Sequence, residues 1–300
     1  MCFLSLYLCI MFNLNQFNMK NLNLLLIAFL LIGSVFAQQN SNVAPSDYTP
    51  TYLKSEVFAN PTRNGECNFL VLRNNFPWDV NATVPLLLSQ GHGVTTANSS
   101  EFPSMNFDDF DVIIVESDQN AAFHTAFSAN FSKFVSFVQN GGRLQIHAAT
   151  YGWNSPLVPV NLPGGVSTAV NLDNYNVVVD ASHPIVTGVP SPFYGNYASH
   201  GYFTNLYPGT NIITAEQSSG KPTTIQYTFG NGTVTATTCT YEFGYSYNQA
   251  AGIMYQNNLQ YSCDYPTINP PAPVPLSNWA LYVGIALMLT FVVFRFRRIF

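Results

Sequence analysis

Residues 109–149 place a buried strand, an amphipathic helix and a second strand in direct succession, and this order restricts the fold more than any other part of the sequence. The first strand contains the uninterrupted aliphatic run Val112 to Val115, which is typical of a parallel strand covered on both faces. Gly141 and Gly142 end the helix, and the sequence RLQIHAA begins the next strand at once. We therefore predict a strand–helix–strand unit with a right-handed crossover. One helix is predicted from Ala121 to Gln139 because its apolar residues recur at spacings of three and four: Phe123, Phe127, Phe131, Phe134, Val135 and Val138.

A second unit of the same kind precedes it. The sequence NFLVLRNN, from Asn68, has the continuous apolar character of a buried strand. Asn81 is a suitable N-cap for a helix in ATVPLLLSQ that ends at Gly91, and a short strand is expected at residues 93–97. Together the two units predict an α/β fold with a doubly wound, mostly parallel sheet of the flavodoxin-like type.

Residues 150–260 are richer in Gly, Pro and Tyr and predict a β-rich C-terminal extension. Strands are expected at residues 175–180, 211–216, 223–229 and 232–240, and residues 229–232 form a hairpin turn between the last two. A closing helix is expected at residues 247–261, with Ile253, Met254 and Leu259 facing inward.

The composition excludes several classes of protein. Only 8% of the chain is charged, 15% is aromatic and the net charge is -5, so the clustered Lys and Arg of a nucleic-acid binder are absent. Cys67, Cys239 and Cys263 show neither the spacing of a disulfide framework nor that of a zinc cluster, although one pair, such as Cys239 with Cys263, is compatible with the sequence. No cofactor is indicated.

Both ends of the chain carry apolar segments that predict export. Met19 and Lys20 precede the apolar run LNLLLIAFLLIGSVFA, which is typical of a signal peptide cleaved after Ala37, and Met19 is an alternative start. Near the other end, an uncharged run from Trp279 to Phe294 is close to the length needed to cross a bilayer. The arginines that follow it are expected on the cytoplasmic side.

The C-terminal segment, PVPLSNWA before the apolar run and RFRR after it, resembles the sorting signals of bacterial surface proteins that exosortase-type transpeptidases process. The resemblance implies anchoring in the membrane by this helix, a sorting transpeptidase as a candidate partner, and a location in the bacterial cell envelope or at the cell surface. The expected organisation is a signal peptide at 1–37, a flexible lead-in at 38–65, an ectodomain at 66–262, a Pro-rich spacer at 263–276, a transmembrane or sorting helix at 277–294 and a basic tail at 295–300.

Four sequence words follow one another in the ectodomain: DFDVIIVES, NGGRLQIHA, ASHPIVTGV and YTFGNGTVTATTCTYE. In their order and spacing they resemble the class I glutamine amidotransferase-like superfamily, in particular its non-amidotransferase branches. Catalytic members carry a Cys on a tight turn after the strand that corresponds to residues 143–146. Here that stretch is His147, Ala148, Ala149 and Thr150, so the resemblance implies a non-catalytic branch without glutaminase activity.

Polar residues stand where the predicted parallel strands end. Ligands of doubly wound folds bind beyond the carboxyl ends of the strands. The polar residues at 116–119 and His147 are neighbours if the strands that precede them are adjacent in the sheet. Such a group supplies a general acid and base for catalysis or the ligands of a metal, although no spacing typical of a metal site is present. The alternative for His147 is a buried imidazole, and for His183 a ring that caps backbone groups. The candidates for catalysis are Glu116, Asp118, His147, His183 and Glu242.

Residues for ligand contact are expected among the aromatic and polar side chains near the same strand ends. Trp153 and Gln119 lie just past two strand ends, and His200 with Tyr202 belongs to a Tyr- and Gly-rich segment that can present aromatic faces to a sugar. We consider three functions: non-catalytic binding of a small molecule, glycan or protein; hydrolysis of a carbohydrate or amide by His147 with Glu116 or Asp118; and a structural role in a surface layer.

Overall fold

The computed structural model describes residues 53–59 and 67–263. The strands are β1 (Glu56–Ala59), β2 (Asn68–Leu72), β3 (Gly93–Ala97), β4 (Val112–Val115), β5 (Arg143–His147), β6 (Ser167–Val178), β7 (Phe193–Thr204), β8 (Asn211–Glu216), β9 (Pro222–Phe229) and β10 (Gly232–Thr237). The helices are α1 (Thr83–Ser89), α2 (Ala121–Ala129), α3 (Phe131–Gln139), α4 (Tyr241–Ser246) and α5 (Ala250–Tyr261). All ten described strands belong to one sheet, in the order β1-β3-β2-β4-β5-β10-β9-β8-β6-β7.

The sheet has a parallel half and an antiparallel half. Strands β3, β2, β4, β5 and β10 run parallel, whereas β10, β9, β8, β6 and β7 pair antiparallel, as does β1 with β3. The predicted doubly wound, mostly parallel sheet is therefore confirmed only in part: the chain forms a mixed α/β sheet. The reason is that the β-rich extension joins the parallel half through β10, which pairs parallel with β5 and antiparallel with β9.

Helices cover both faces of the parallel half. Successive strand residues point to opposite faces, so Ile113 packs with α2 and α3, while Ile114 packs with α1 and α5. This arrangement explains the aliphatic run of β4, because a strand buried on both faces has no position for a polar residue. Burying each such side chain stabilises the fold by about 1.5–3 kcal/mol.

The helix predicted between residues 121 and 139 is divided in two at Asn130. The backbone of Asn130 is not helical, and its side-chain amide donates to the carbonyl oxygen of Ala126 at 2.9 Å. Both helices keep their phenylalanines on the sheet side, where the rings of Phe127 and Phe134 lie 4.6 Å apart. The local hydrogen bond of Asn130 therefore ends one helix without interrupting the apolar face.

The antiparallel half differs from the prediction in three places. The strand predicted at 175–180 is the end of the longer β6, the strand predicted to end at residue 240 ends at Thr237, and β7 was not predicted as a strand. β7 was missed because its Tyr- and Gly-rich sequence has no regular alternation.

The hairpin between β9 and β10 is confirmed, with Gly230 at a positive φ of 63°. α5 begins later than predicted, and Ile253 is exposed although Met254 and Leu259 are buried.

A disulfide bond connects Cys67, at the start of β2, to Cys263, after α5. The pairing of Cys239 with Cys263 was therefore wrong: Cys239 is a buried free thiol. It follows β10 into the core, where Thr224 Oγ1 lies 3.7 Å from its sulfur. The bond closes a loop with a sequence separation of 196 residues, and disulfides of this kind persist in oxidising compartments.

Most of the predicted terminal segments lie outside the described residues, including the signal peptide at 1–37, the membrane helix at 277–294 and the basic tail at 295–300. Part of the predicted lead-in is described and forms β1 at the edge of the sheet. Within residues 53–59 and 67–263, no helix combines the length and the apolar character that a membrane span requires.

Candidate functional site

The carboxyl ends of β4 and β5 bring the predicted polar residues together. The two strands are adjacent and parallel, with Val115 opposite Ile146, so Glu116 and His147 follow directly at the same edge. β10 lies on the other side of β5 and leads into α4, whose first turn contains Glu242. The predicted neighbourhood of Glu116, His147 and Glu242 is thus a consequence of strand order.

His147 pairs with Glu242 rather than with Glu116. The distance from His147 Nδ1 to Glu242 Oε1 is 2.7 Å, and Ser117 Oγ donates to the other carboxylate oxygen. His147 is 3% exposed and Glu242 0%. Burial by itself would raise the pKa of Glu242, but the charge and hydrogen bond of His147, together with Ser117, hold that pKa below its usual value. Because the ionised carboxylate only accepts hydrogen bonds, His147 Nδ1 is the donor.

Glu116 belongs to a second chain of hydrogen bonds beside this pair. Thr83 Oγ1 donates to Glu116 Oε1, and the hydroxyl of Tyr255 donates to Thr83 Oγ1 at 2.6 Å. Arg73 Nη1 lies 3.6 Å from the same oxygen of Glu116. Burial raises the pKa of Glu116, and the charge of Arg73 opposes that rise. The chain connects α1 and α5 to the end of β4.

Asp118 binds two loops instead of joining this cluster. Its Oδ1 accepts from the backbone N–H groups of Asn154 and Ser155 at 2.9 and 3.0 Å, and its Oδ2 accepts from the N–H of Trp78 at 3.0 Å and the Asn154 side chain at 3.1 Å. Burial raises the pKa of Asp118 to about 6 in spite of these four donors. Gly152 lies so close to the carboxylate that a Cβ there would collide with Asp118.

A mostly closed cavity of about 10 Å³ adjoins the polar cluster. Such a volume is close to that of one water-sized probe, so the cavity has room for one hydroxyl-sized group and not for a whole substrate. His147 lines this cavity, and its buried Nε2 makes no hydrogen bond with any described residue. The residues around the cavity include Glu116, Ser117, Asp118, Phe123, His124, Phe127, His147 and Val160.

A larger cleft lies outside this cavity, between α2 and the segment 156–166. Its volume is about 700 Å³, and its walls are mainly apolar: Phe127, Phe131, Pro156, Val158, Pro159, Val160, Leu162 and Val166, with His124, Thr125, Ser128 and Asn161 among its polar members. The cleft and the closed cavity share His124, Phe127 and Val160. These shared side chains form the wall between the two spaces.

His124 was not predicted to be functional. Its Nε2 lies 3.1 Å from Ser155 Oγ, and burial lowers the pKa of the ring, so the imidazole is neutral at pH 7. In the sequence it follows Phe123 at the edge of the apolar face of α2. At such a position the sequence does not distinguish a His that contacts a ligand from one that only borders the core. The sequence signal was its position at the helix edge, and only the fold of the segment 156–166 gives it a cleft.

The remaining predicted catalytic residue, His183, lies away from the cluster. Its Nδ1 accepts from the N–H of Ile185 at 3.3 Å, and its Nε2 lies 3.2 Å from the Gln226 side-chain oxygen. The ring thus caps a turn of 3₁₀ helix at Pro184–Val186. This is the structural alternative that the His-Pro sequence left open.

The predicted ligand-contacting residues are distributed over several sites. His200 is buried, and its Nδ1 lies 2.8 Å from the carbonyl oxygen of Thr150. Gln119 accepts from the N–H of Asn74 at 2.6 Å, Tyr202 lies under Lys221 Nζ at 3.9 Å, and Trp153 is half-buried. In the described part of the chain, none of these four predicted residues lines the cleft or the cavity. Their contact with a ligand stays a prediction.

Metal coordination gains no support from the side-chain positions. Among residues 53–59 and 67–263, no group of three or more His, Cys, Asp or Glu is placed to hold a metal ion.

Comparisons with known proteins give distant similarities. No protein family matches the sequence. An uncharacterised protein of Clostridium acetobutylicum is 26% identical over 175 residues, which are 58% of this chain and 18% of that relative. The chain therefore spans about a fifth of the length of the curated relative that it matches.

Solved structures with a similar arrangement include a cytoplasmic protein from Salmonella typhimurium, at 13% identity and a TM-score of 0.44, covering 65% of this chain and 98% of that one. A protein described as ThuA-like from Parabacteroides merdae is 16% identical with a TM-score of 0.40, covering 66% and 90%. A glutamine amidotransferase from Thermotoga maritima is 7% identical with a TM-score of 0.40, covering 66% and 83%. Likenesses at this level do not extend to function.

Replacing Asp118 by Asn tests its role as a clamp of two loops. The amide nitrogen faces N–H donors, so at least one buried donor loses its acceptor, and the free energy of unfolding is expected to fall by about 1–3 kcal/mol. Urea denaturation at pH 7 measures this loss. The exposed Asp79, in the loop that Asp118 holds, provides the control Asp79→Asn. Equal stability of the two variants would exclude the clamp.

His200 predicts an acid-dependent loss of stability. Burial lowers its pKa to about 4, whereas in the unfolded chain the ring takes up a proton below pH 6.5. Its stabilising contribution is therefore complete above pH 6.5 and declines by about 3 kcal/mol as the pH falls to 4. We expect the difference in unfolding free energy between the unmodified protein and His200→Gln to shrink by that amount between pH 7 and pH 4. Parallel pH profiles would contradict the assignment.

Proposed function

We propose that the protein is an exported, membrane- or surface-anchored binding protein, and that its ectodomain holds a small uncharged molecule in the cleft between α2 and the segment 156–166 without breaking bonds in it. The observation that carries the proposal is the cleft itself. Its volume of about 700 Å³ lies within the usual range of small-molecule sites, and it is formed by apolar side chains with a few polar groups.

The charges of the cleft indicate the ligand class. None of the described residues that line it is Asp, Glu, Lys or Arg, and the pKa of His124 is lowered by burial. A charged ligand would lose its hydration in such a cleft without gaining a partner of opposite charge, which is costly. An uncharged molecule with an apolar body, such as an aromatic compound or the apolar face of a glycan, meets no such cost.

The hydrolase alternative receives less support. His147 and Glu242 form a pair of the kind that serves as a general base, but substrate must reach His147 for chemistry to occur. The cavity of about 10 Å³ beside His147 holds one water-sized group, so a scissile glycosidic or amide bond does not fit against the ring, and the geometry favours binding in the outer cleft. Protein and glycan ligands and a surface-layer role stay alternatives for the ectodomain as a whole.

The cellular location is part of the proposal. The signal-peptide pattern, the apolar run at 277–294 and the low charge of the chain support export and anchoring in the envelope, and a sorting transpeptidase is a candidate partner of the tail. The bond between Cys67 and Cys263 adds support because cytosolic reductants keep most thiols reduced.

Binding is tested by ligand-observed ¹⁹F NMR on the 300-residue chain in detergent, with 4-fluorophenol as a neutral probe and 4-fluorobenzoate as a charged one. We expect only the neutral probe to bind. Ser128→Arg places a guanidinium in the cleft and is expected to weaken binding roughly tenfold, since the charge opposes an apolar ligand. Ser132→Arg on α3, exposed and outside the cleft, is the matched control. Equal effects of the two variants would place the probe elsewhere.

The location is tested by producing the chain in the bacterium from which it comes and fractionating those cells. The protein is expected in the membrane or cell-surface fraction, with the peptides of Cys67 and Cys263 joined in a non-reducing peptide map. Cys239 should react with a thiol reagent only after unfolding, because it is buried. Recovery of a reduced protein from the cytosol would refute export.

A further inference from the structure

The closed cavity and the open cleft are separated by one layer of side chains. His124, Phe127 and Val160 line both spaces, so each presents one side to the cleft and another to the cavity. His124 is half-buried and is held by the contact of its Nε2 with Ser155 Oγ at 3.1 Å. Phe127 packs in the aromatic cluster, with Phe134 at 4.6 Å. Of these three side chains, His124 is the most exposed.

Behind that wall, His147 offers a buried hydrogen-bonding atom. Its Nδ1 donates to the ionised Glu242, so Nε2 is the ring nitrogen that is left for a ligand, and a hydroxyl group can hydrogen-bond to it as donor or as acceptor. Nε2 is buried and makes no hydrogen bond with any described residue. Burial of such an atom without a partner costs about 1–3 kcal/mol, which a hydroxyl group bonded to it would recover.

We propose that the cavity is the inner, polar subsite of the cleft, reached when His124 changes its rotamer, and that the ligand is an uncharged molecule with an apolar body and a terminal hydroxyl group that hydrogen-bonds to His147 Nε2. This inference rests on the proposed function, since the apolar body occupies the outer cleft. The cavity of about 10 Å³ fits one oxygen atom with its hydrogen and no larger group. His147 thus selects the ligand, and Glu242 positions the ring through Nδ1.

The test compares 4-fluorophenol with fluorobenzene, which has the same ring without the hydroxyl, by ¹⁹F NMR on the 300-residue chain. We expect the phenol to bind about fivefold to tenfold more tightly, because the hydroxyl satisfies Nε2 and fluorobenzene leaves it without a partner. In His147→Ala the preference for the phenol should disappear while fluorobenzene keeps its affinity. Equal affinities in the unmodified protein, or a preference that survives in His147→Ala, would overturn the proposal.

A second measurement uses the unmodified protein and so avoids His147→Ala, in which Glu242 loses its partner. The chain has five histidines, so their ring ¹⁵N resonances can be assigned individually. The Nε2 resonance of His147 should shift on addition of 4-fluorophenol and remain in place with fluorobenzene. A bound phenol that leaves this resonance unchanged overturns the inner subsite.

The outcomes separate the two proposals. If both probes bind with equal affinity and Ser128→Arg weakens both, the cleft is a binding site and the inner subsite is refuted. If neither probe binds, the proposed function fails together with the subsite. If His147→Ala does not fold, the ¹⁵N resonance decides by itself.

Discussion

The hydrogen bonding of the buried Glu242 carboxylate is the interaction on which the polar cluster at the carboxyl ends of β4 and β5 depends. It joins three segments that are distant in sequence, because Ser117 follows β4, His147 ends β5 and Glu242 begins α4 after β10. A charge removed from water is stable only when hydrogen bonds and an opposite charge replace the lost hydration. The order of β4, β5 and β10 in the sheet brings Ser117 and His147 to the carboxylate, so the hydrogen bonds of Glu242 depend on the strand order.

This cluster and the cleft beside it divide the molecule into a closed and an open part. Glu116, Asp118 and Glu242 each use their oxygens to hold helices or loops against the strand ends, which leaves the titratable groups inaccessible to bulky molecules. The cleft, in contrast, has volume but few polar groups. The described part of the protein therefore combines a buried polar cluster with a mainly apolar cleft, which we propose as the binding site, and the wall containing His124 and Phe127 is the boundary between them.

Much of the parallel half was predictable because its apolar patterns predict the buried strands and helices, and because strands that follow one another in such units lie close together in the sheet. The aliphatic run of β4 and the Phe-rich stripe of α2 and α3 require burial on defined faces, and the polar residues that follow β4 and β5 consequently meet at one edge. The antiparallel half was less predictable. β7 has a Tyr- and Gly-rich sequence without alternation and becomes a strand only by pairing with β6, and Cys263 pairs with Cys67 rather than Cys239 because α5 returns to the start of β2.

The sequence by itself determined the strand–helix–strand units, the buried strands and the position of Glu116 and His147 at strand ends. The reason is that the spacing of apolar residues predicts both the type of each element and the face that it buries. Only the tertiary structure decided that Glu242 is the partner of His147, that Asp118 clamps loops and that His124 lines a cleft. The reason is that hydrogen bonds and cavities arise between segments separated by tens of residues. Their distances are fixed by strand order and loop packing, which no local pattern contains.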